Sequence, residues 1–111
     1  LSRFSRISPL ELRRQLEAPH PPAILDVRTL AERNESAIKG SRHIPLNQLS
    51  QRLDEVAPKG RLVVHCAGGY RSAMAVSLIL ATGRKDVADL DDGMAGWQRL
   101  RRRPRRRKKL I

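Results

Sequence analysis

Cys66, the single cysteine of this 111-residue chain, is followed by Ala67, Gly68, Gly69, Tyr70, Arg71 and Ser72. A thiol and a guanidinium at this spacing supply a nucleophile and a positive charge that can attract an anion. The two adjacent glycines let the backbone turn its amides toward one point, which makes an anion-binding nest. A helix starting near Arg71 adds unpaired amides and the positive end of its dipole. All of these favour a thiolate over a thiol, so Cys66 is expected to be a reactive group at neutral pH. The competing reading is a buried, inert thiol, the usual fate of an isolated cysteine.

The other polar residues are weaker candidates. One cysteine and three scattered histidines (His20, His43, His65) offer neither a disulfide framework nor a cysteine-rich zinc site, so no metal and no cofactor is expected. His65 precedes the nucleophile directly, but adjacent residues on a strand point to opposite faces, which argues against a Cys-His pair. His43 reads as a local hydrogen-bonding residue. Tyr70 either walls the pocket or projects into solvent beside it.

The nucleophile must be carried by an element, and the sequence before it supplies one. Arg61-Leu62-Val63-Val64-His65 is a short apolar run without polar alternation, the pattern of a strand covered on both faces. Ala23-Ile24-Leu25-Asp26-Val27 repeats it, and Val87-Ala88-Asp89-Leu90 is a weaker third copy. Helical patterns lie at Leu46 to Val56 and Arg71 to Thr82. Ser8-Pro9 opens another over Ile7 to Glu17, as an N-cap and a first-turn proline. Strands alternating with helices predict an α/β fold with an open, mainly parallel sheet flanked by helices. Ligands of such sheets bind at the carboxyl ends of the strands, where Cys66 lies. The stretch Ser72 to Ala81 is apolar nearly all round and is expected to be enclosed. A last short helix over Gly93 to Leu100 closes the domain, with Trp97 in the core.

Taken together, four segments in order resemble the rhodanese superfamily, over roughly Ile7 to Gln98. They are the Cys66 to Ser72 loop, Ile24-Leu25-Asp26-Val27-Arg28, Gly40-Ser41-Arg42-His43-Ile44-Pro45, and Asp92-Gly93-Met94-Ala95-Gly96-Trp97. The resemblance implies a sulfurtransferase that moves a sulfane sulfur from thiosulfate or a low-molecular-weight persulfide to a thiol or cyanide, through a Cys66 persulfide. In that scheme Cys66 and Arg71 are catalytic, and Ala67, Gly68, Gly69, Tyr70 and Ser72 bind the substrate. Asp26 and Arg28 brace the loop from the neighbouring strand. The chain departs from the family at Ser36-Ala37-Ile38, where Gly-His-Ile is usual, which removes any role for a histidine there. The loop looks most like that of rhodanese domains fused to metallo-β-lactamase-like persulfide dioxygenases and hydrolases. Two rivals stay open. One is a Cys-dependent phosphatase or arsenate reductase, against which the four residues between Cys66 and Arg71 argue, since phosphatase loops have five. The other is a non-catalytic docking module, a role associated with loss of the cysteine.

Composition bounds the rest. The formal net charge is +12, and eight of the positive charges lie between Arg101 and Lys109, leaving +4 for the remainder. Residues 1–100 are therefore read as one domain and 101–111 as a basic, disordered tail. If the tail binds nucleic acid or another polyanion, it does so without selectivity and with affinity falling steeply as salt rises. The longest apolar stretch, Ala73 to Ala81, is about half a membrane span, and no signal-peptide core follows Arg3 and Arg6. A free thiol suits a reducing compartment, so a cytoplasmic protein is expected. A start at Leu1 rather than Met suggests a domain cut from a longer polypeptide.

Overall fold

A computed structural model describes residues 5–57 and 59–102. Five strands form one sheet: β1 (Ser5–Ile7), β2 (Ala23–Asp26), β3 (Arg42–His43), β4 (Leu62–His65) and β5 (Val87–Leu90). Their spatial order is β1-β5-β4-β2-β3, and every pairing is parallel. The expected open α/β sheet is thus present. β1 and β3 have only three and two residues, too few to carry a periodic signal.

Five helices complete the fold: α1 (Pro9–Leu16), α2 (Leu30–Glu35), α3 (Leu46–Leu49), α4 (Tyr70–Leu80) and α5 (Gly93–Arg102). The Ser8 side chain accepts from the Glu11 amide and caps α1 as its sequence predicts. Thr29 and Glu32 form a capping box on α2, which compensates for a helix with no buried residue. The helix expected over Leu46 to Val56 is interrupted. It breaks after Leu49, and a 3₁₀ turn at Leu53–Glu55 resumes it, with Leu49 and Val56 both delivered to the core. α5 runs to Arg102, two residues beyond the expected boundary of the basic tail, and the rest of that tail lies outside the described residues.

Alternation along the strands builds two cores. Leu25, Val64 and Cys66 face Leu49, Val76 and Ile79 on one side of the sheet. Ile24, Val63 and Leu90 face Leu12, Met94 and Trp97 on the other. Each fully buried aliphatic side chain here contributes about 1.5 to 3 kcal/mol. α4 is not enclosed as expected. Met74 is 53% exposed and Leu78 38%, because only its Ala75, Val76 and Ile79 stripe meets the sheet. No helix among the described residues is long and apolar enough to cross a membrane.

The fold converges on the carboxyl end of β4. There the first turn of α5 is fastened to the chain beyond the strand: the Met94 amide donates to the Cys66 carbonyl at 2.7 Å, and the Ala95 amide to the Ala67 carbonyl at 3.0 Å.

Candidate active site

Cys66 leaves the last residue of β4 and enters a turn that ends at Gly69, whose φ of +99° caps α4 in the left-handed region. That conformation aims the Gly69 amide at the sulfur, and it donates to Sγ at 3.1 Å. The Ser72 hydroxyl, in the first turn of α4, stands 3.5 Å from Sγ on the interior side. The sulfur therefore lies between a backbone donor and a hydroxyl, in a residue only 1% exposed. It sits deeper than an open anion nest implies. Gly69 is the only backbone amide among the described residues that reaches it, while Ala67 and Gly68 form the turn above.

The two glycines have different jobs, which leads to a prediction. A side chain at Gly68 would meet open space, and its φ is not positive. Gly69→Ala, at φ +99°, is expected to cost about 1 to 3 kcal/mol and to displace the amide that faces the sulfur. Gly68→Ala should stay within about 1 kcal/mol of the parent. Thermal melts of the two variants side by side check this, and equal losses would contradict it.

Arg71 does not point a free charge at the loop. Its two terminal nitrogens clamp the Glu32 carboxylate, each at 2.8 Å, in a bidentate pair between α4 and α2. The Arg71 guanidinium pulls the Glu32 carboxyl down to about 2, and Glu32 raises Arg71 in return. Glu32 thus orients the arginine, and the sequence reading missed it. The local signal it offers is the capping-box spacing Thr29-x-x-Glu32, which speaks for a helix start and not for a partner of Arg71. A group held below its ordinary value stabilises the fold above that value and loses the effect as pH falls through the lowered one. Glu32→Gln is therefore expected to melt below the parent at neutral pH, with the gap closing between pH 4.5 and about 2. Melting curves across that range test it. A gap that persists at the acid end would contradict the pairing.

Asp26 and Arg28 brace something other than the cysteine loop. Asp26 is fully buried at the end of β2, and Arg28 donates to it from its amide, Nε and Nη2 at 2.8 to 3.0 Å. Burial pushes the Asp26 carboxyl up, but the Arg28 guanidinium, His65 and the Arg28 amide together hold it below its usual value. Arg28 also donates to the Glu32 and Ser36 carbonyls. The pair thus fixes the α2 segment that carries Glu32, and it reaches Arg71 only through that residue. His65 is fully buried on the sheet face opposite Cys66, and burial lowers its affinity for a proton. His43 Nε2 meets the Arg28 carbonyl at 2.8 Å.

Tyr70 is 82% exposed and projects into solvent. The opening beside the loop is instead a cleft of about 310 Å³ lined by Val27, Arg28, Thr29, Pro45, Leu46, Asn47 and Arg71. Ser72 is not open to it. It is fully buried, and its hydroxyl donates to Asp89 of β5 at 2.5 Å, a second residue that the sequence reading did not single out. Among the described residues no group of three or more His, Cys, Asp or Glu could hold a metal ion.

Such a site can hold a sulfur against a backbone donor and present it near a fixed arginine. Comparison with known proteins agrees with this geometry. Residues 8–100 match the family profile described as Rhodanese-like domain. A Bacillus subtilis protein whose name assigns it provisionally as a sulfur carrier is 30% identical over 96 residues, covering 86% of this chain and 52% of that one. An Allochromatium vinosum protein named sulfurtransferase is 28% identical over 76 residues, covering 68% of this chain and 71% of that one. The crystal structure of a rhodanese-related protein from Thermoplasma volcanium superposes with a TM-score of 0.79 at 27% identity, covering 87% and 93% of the two chains. The chain spans about half the length of the first curated relatives it matches.

Proposed function

Because the chain belongs to the rhodanese-like domain family, we propose that it is a sulfurtransferase whose Cys66 carries the sulfur in transit. The observation that carries this reading is the sulfur itself, at the end of β4, with the Gly69 amide donating to it and Arg71 five residues on. In the first step the Cys66 thiolate attacks the outer sulfur of thiosulfate. The S–S bond of the donor breaks, sulfite leaves with the electron pair, and Cys66 becomes a persulfide. In the second step cyanide or a thiolate attacks the terminal sulfur and restores the Cys66 thiolate. The kinetics are then ping-pong. A low-molecular-weight persulfide serves as donor by the same displacement, its thiolate leaving in place of sulfite. The Gly69 amide faces the charge that remains on sulfur, and Arg71, held in place by Glu32, lines the cleft through which the donor arrives. A reducing, cytoplasmic setting keeps the thiol available.

Loop size separates this reading from phosphate-ester chemistry. Four residues between Cys66 and Arg71 leave room for one extra sulfur, not for a tetrahedral phosphoryl group. The test compares thiosulfate:cyanide sulfurtransfer with hydrolysis of a phosphate ester by the same preparation. Thiocyanate formation without ester turnover is expected, and ester hydrolysis without thiocyanate would overturn the proposal. A docking role alone would give neither.

A further inference from the structure

Two buried aspartates stand near the carboxyl ends of the strands and are treated very differently. Asp26 receives the amide, Nε and Nη2 of Arg28, with Arg33 Nη1 at 3.4 Å. Asp89, just as fully buried, receives one hydrogen bond, from the Ser72 hydroxyl to Oδ1 at 2.5 Å. Its Oδ2 finds no hydrogen-bond donor among the described residues. The facing charges are few. Arg6 of β1, itself 59% exposed, approaches Oδ2 only to 3.8 Å and is shared with Asp91. Cys66, just past the end of β4, lies beyond the Ser72 hydroxyl, 3.5 Å from it. An ionised carboxylate in that position is poorly compensated, and burial accordingly raises Asp89 above the usual carboxylate range, although the Ser72 bond opposes the shift.

The same three side chains make a continuous line: Cys66 Sγ, Ser72 Oγ, Asp89 Oδ1. Cys66 is 1% exposed and the other two are fully buried, so water is not at hand behind the sulfur to take its proton. A serine hydroxyl has one proton and can donate it in only one direction. While it donates to Asp89, it can only accept from the thiol. When it donates to a thiolate instead, it can only accept a hydrogen bond from Asp89, which must then carry the proton.

We propose that Ser72 and Asp89 form a proton relay for Cys66, in which Asp89 stores the thiol proton while the sulfur is an anion. The proton on Sγ passes to Ser72 Oγ as the Ser72 proton passes to Asp89 Oδ1. The S–H and the original O–H bonds break, new O–H bonds form on serine and on the carboxyl, and the negative charge moves from carboxylate to sulfur. No oxidant, reductant or further reactant takes part. In the product Asp89 donates to Ser72 and Ser72 donates to the thiolate. Ser72 touches the reacting atom, whereas Asp89 acts through it. The relay rests on the reading of Cys66 as the sulfur nucleophile, and it explains how a thiol this deeply buried is ionised.

Two acids sharing one proton titrate as a pair, with two macroscopic steps and a plateau between them where the proton is divided at a fixed ratio. The experiment follows the rate of Cys66 alkylation by iodoacetamide from about pH 4 to 9, a readout of thiolate that needs no sulfur transfer. The parent chain is expected to show two steps. Asp89→Asn and Ser72→Ala should each lose the acid step and leave a single one, and Ser72→Thr, which keeps the hydroxyl, should retain both. A single step in the parent protein, or two unchanged steps in Asp89→Asn, would overturn the relay. The parent curve decides the matter even if a variant fails to fold. Sulfur loading from thiosulfate, measured on the same samples, reports separately on the sulfurtransferase reading. Two steps without loading would sink that reading and spare the relay; loading with one step would do the reverse.

Discussion

Cys66→Ser is expected to lower thiosulfate:cyanide sulfurtransfer by about three orders of magnitude or more, the scale of losses that follow removal of a covalent nucleophile. The substitution exchanges sulfur for oxygen in a residue that is 1% exposed, so the volume is nearly kept and the Gly69 amide still has an acceptor. The fold should therefore survive, and circular dichroism with a melting curve checks that it does. What is lost is the polarisable atom that can bond to a second sulfur and release it again. A variant that retains turnover within about tenfold of the parent would show that sulfur does not pass through residue 66.

Gly93→Ala should be the most damaging of the glycine substitutions, although Gly93 lies 27 positions beyond the cysteine. A Cβ there would stand 2.2 Å from the Cys66 carbonyl oxygen and 2.9 Å from its carbon, and the φ of +50° adds strain for a side chain. Neither partner can move cheaply. The Cys66 carbonyl is held by the Met94 amide and the Ala67 carbonyl by the Ala95 amide, so the start of α5 and the active loop would have to separate. Strain and overpacking together suggest a loss of about 3 kcal/mol, or roughly 1 to 3 M in the urea midpoint. Sulfurtransfer should fall with it, because the turn that delivers the Gly69 amide to the sulfur is the turn being displaced. Urea titration of Gly93→Ala beside Gly68→Ala, where a side chain meets nothing, gives the comparison. Equal midpoints would mean that the contact between α5 and the loop carries no weight.

These two residues also show what could be read from the chain and what could not. Cys66 to Ser72 is contiguous, and each member announces its part by type: a thiol, two glycines for a turn, an arginine five positions on. Strands β2, β4 and β5 were legible because apolar runs of four residues covered on both faces have a distinctive composition. The partners of the site were not legible. Glu32 lies 39 positions before Arg71 and Asp89 lies 17 after Ser72, and only the parallel order β5-β4-β2 brings them together. Distance along the chain hides such pairs from any local pattern.

Misreadings followed the same logic. Apolar residues around all sides of α4 suggested enclosure, yet one face holds Met74 and Leu78 against solvent, beside a cleft of about 600 Å³ shared with Leu46 and Ser50. Composition registers how apolar a helix is, whereas its neighbours decide how much of it is covered. Arg71 was read as a charge aimed at the loop because an arginine near a cysteine is attractive on its own. Its carboxylate partner, visible only in three dimensions, fixes where that charge actually lies. Asp26 and Arg28 were placed correctly at the end of their strand, but what they hold is the α2 segment and Glu32.

The most direct test of the account is the intact mass of the protein after exposure to thiosulfate under non-reducing conditions. A gain of about 32 Da, one sulfur atom, is predicted, removed by cyanide and absent from Cys66→Ser. An unchanged mass in the parent protein, or the same gain in Cys66→Ser, would contradict the claim that Cys66 carries the sulfur.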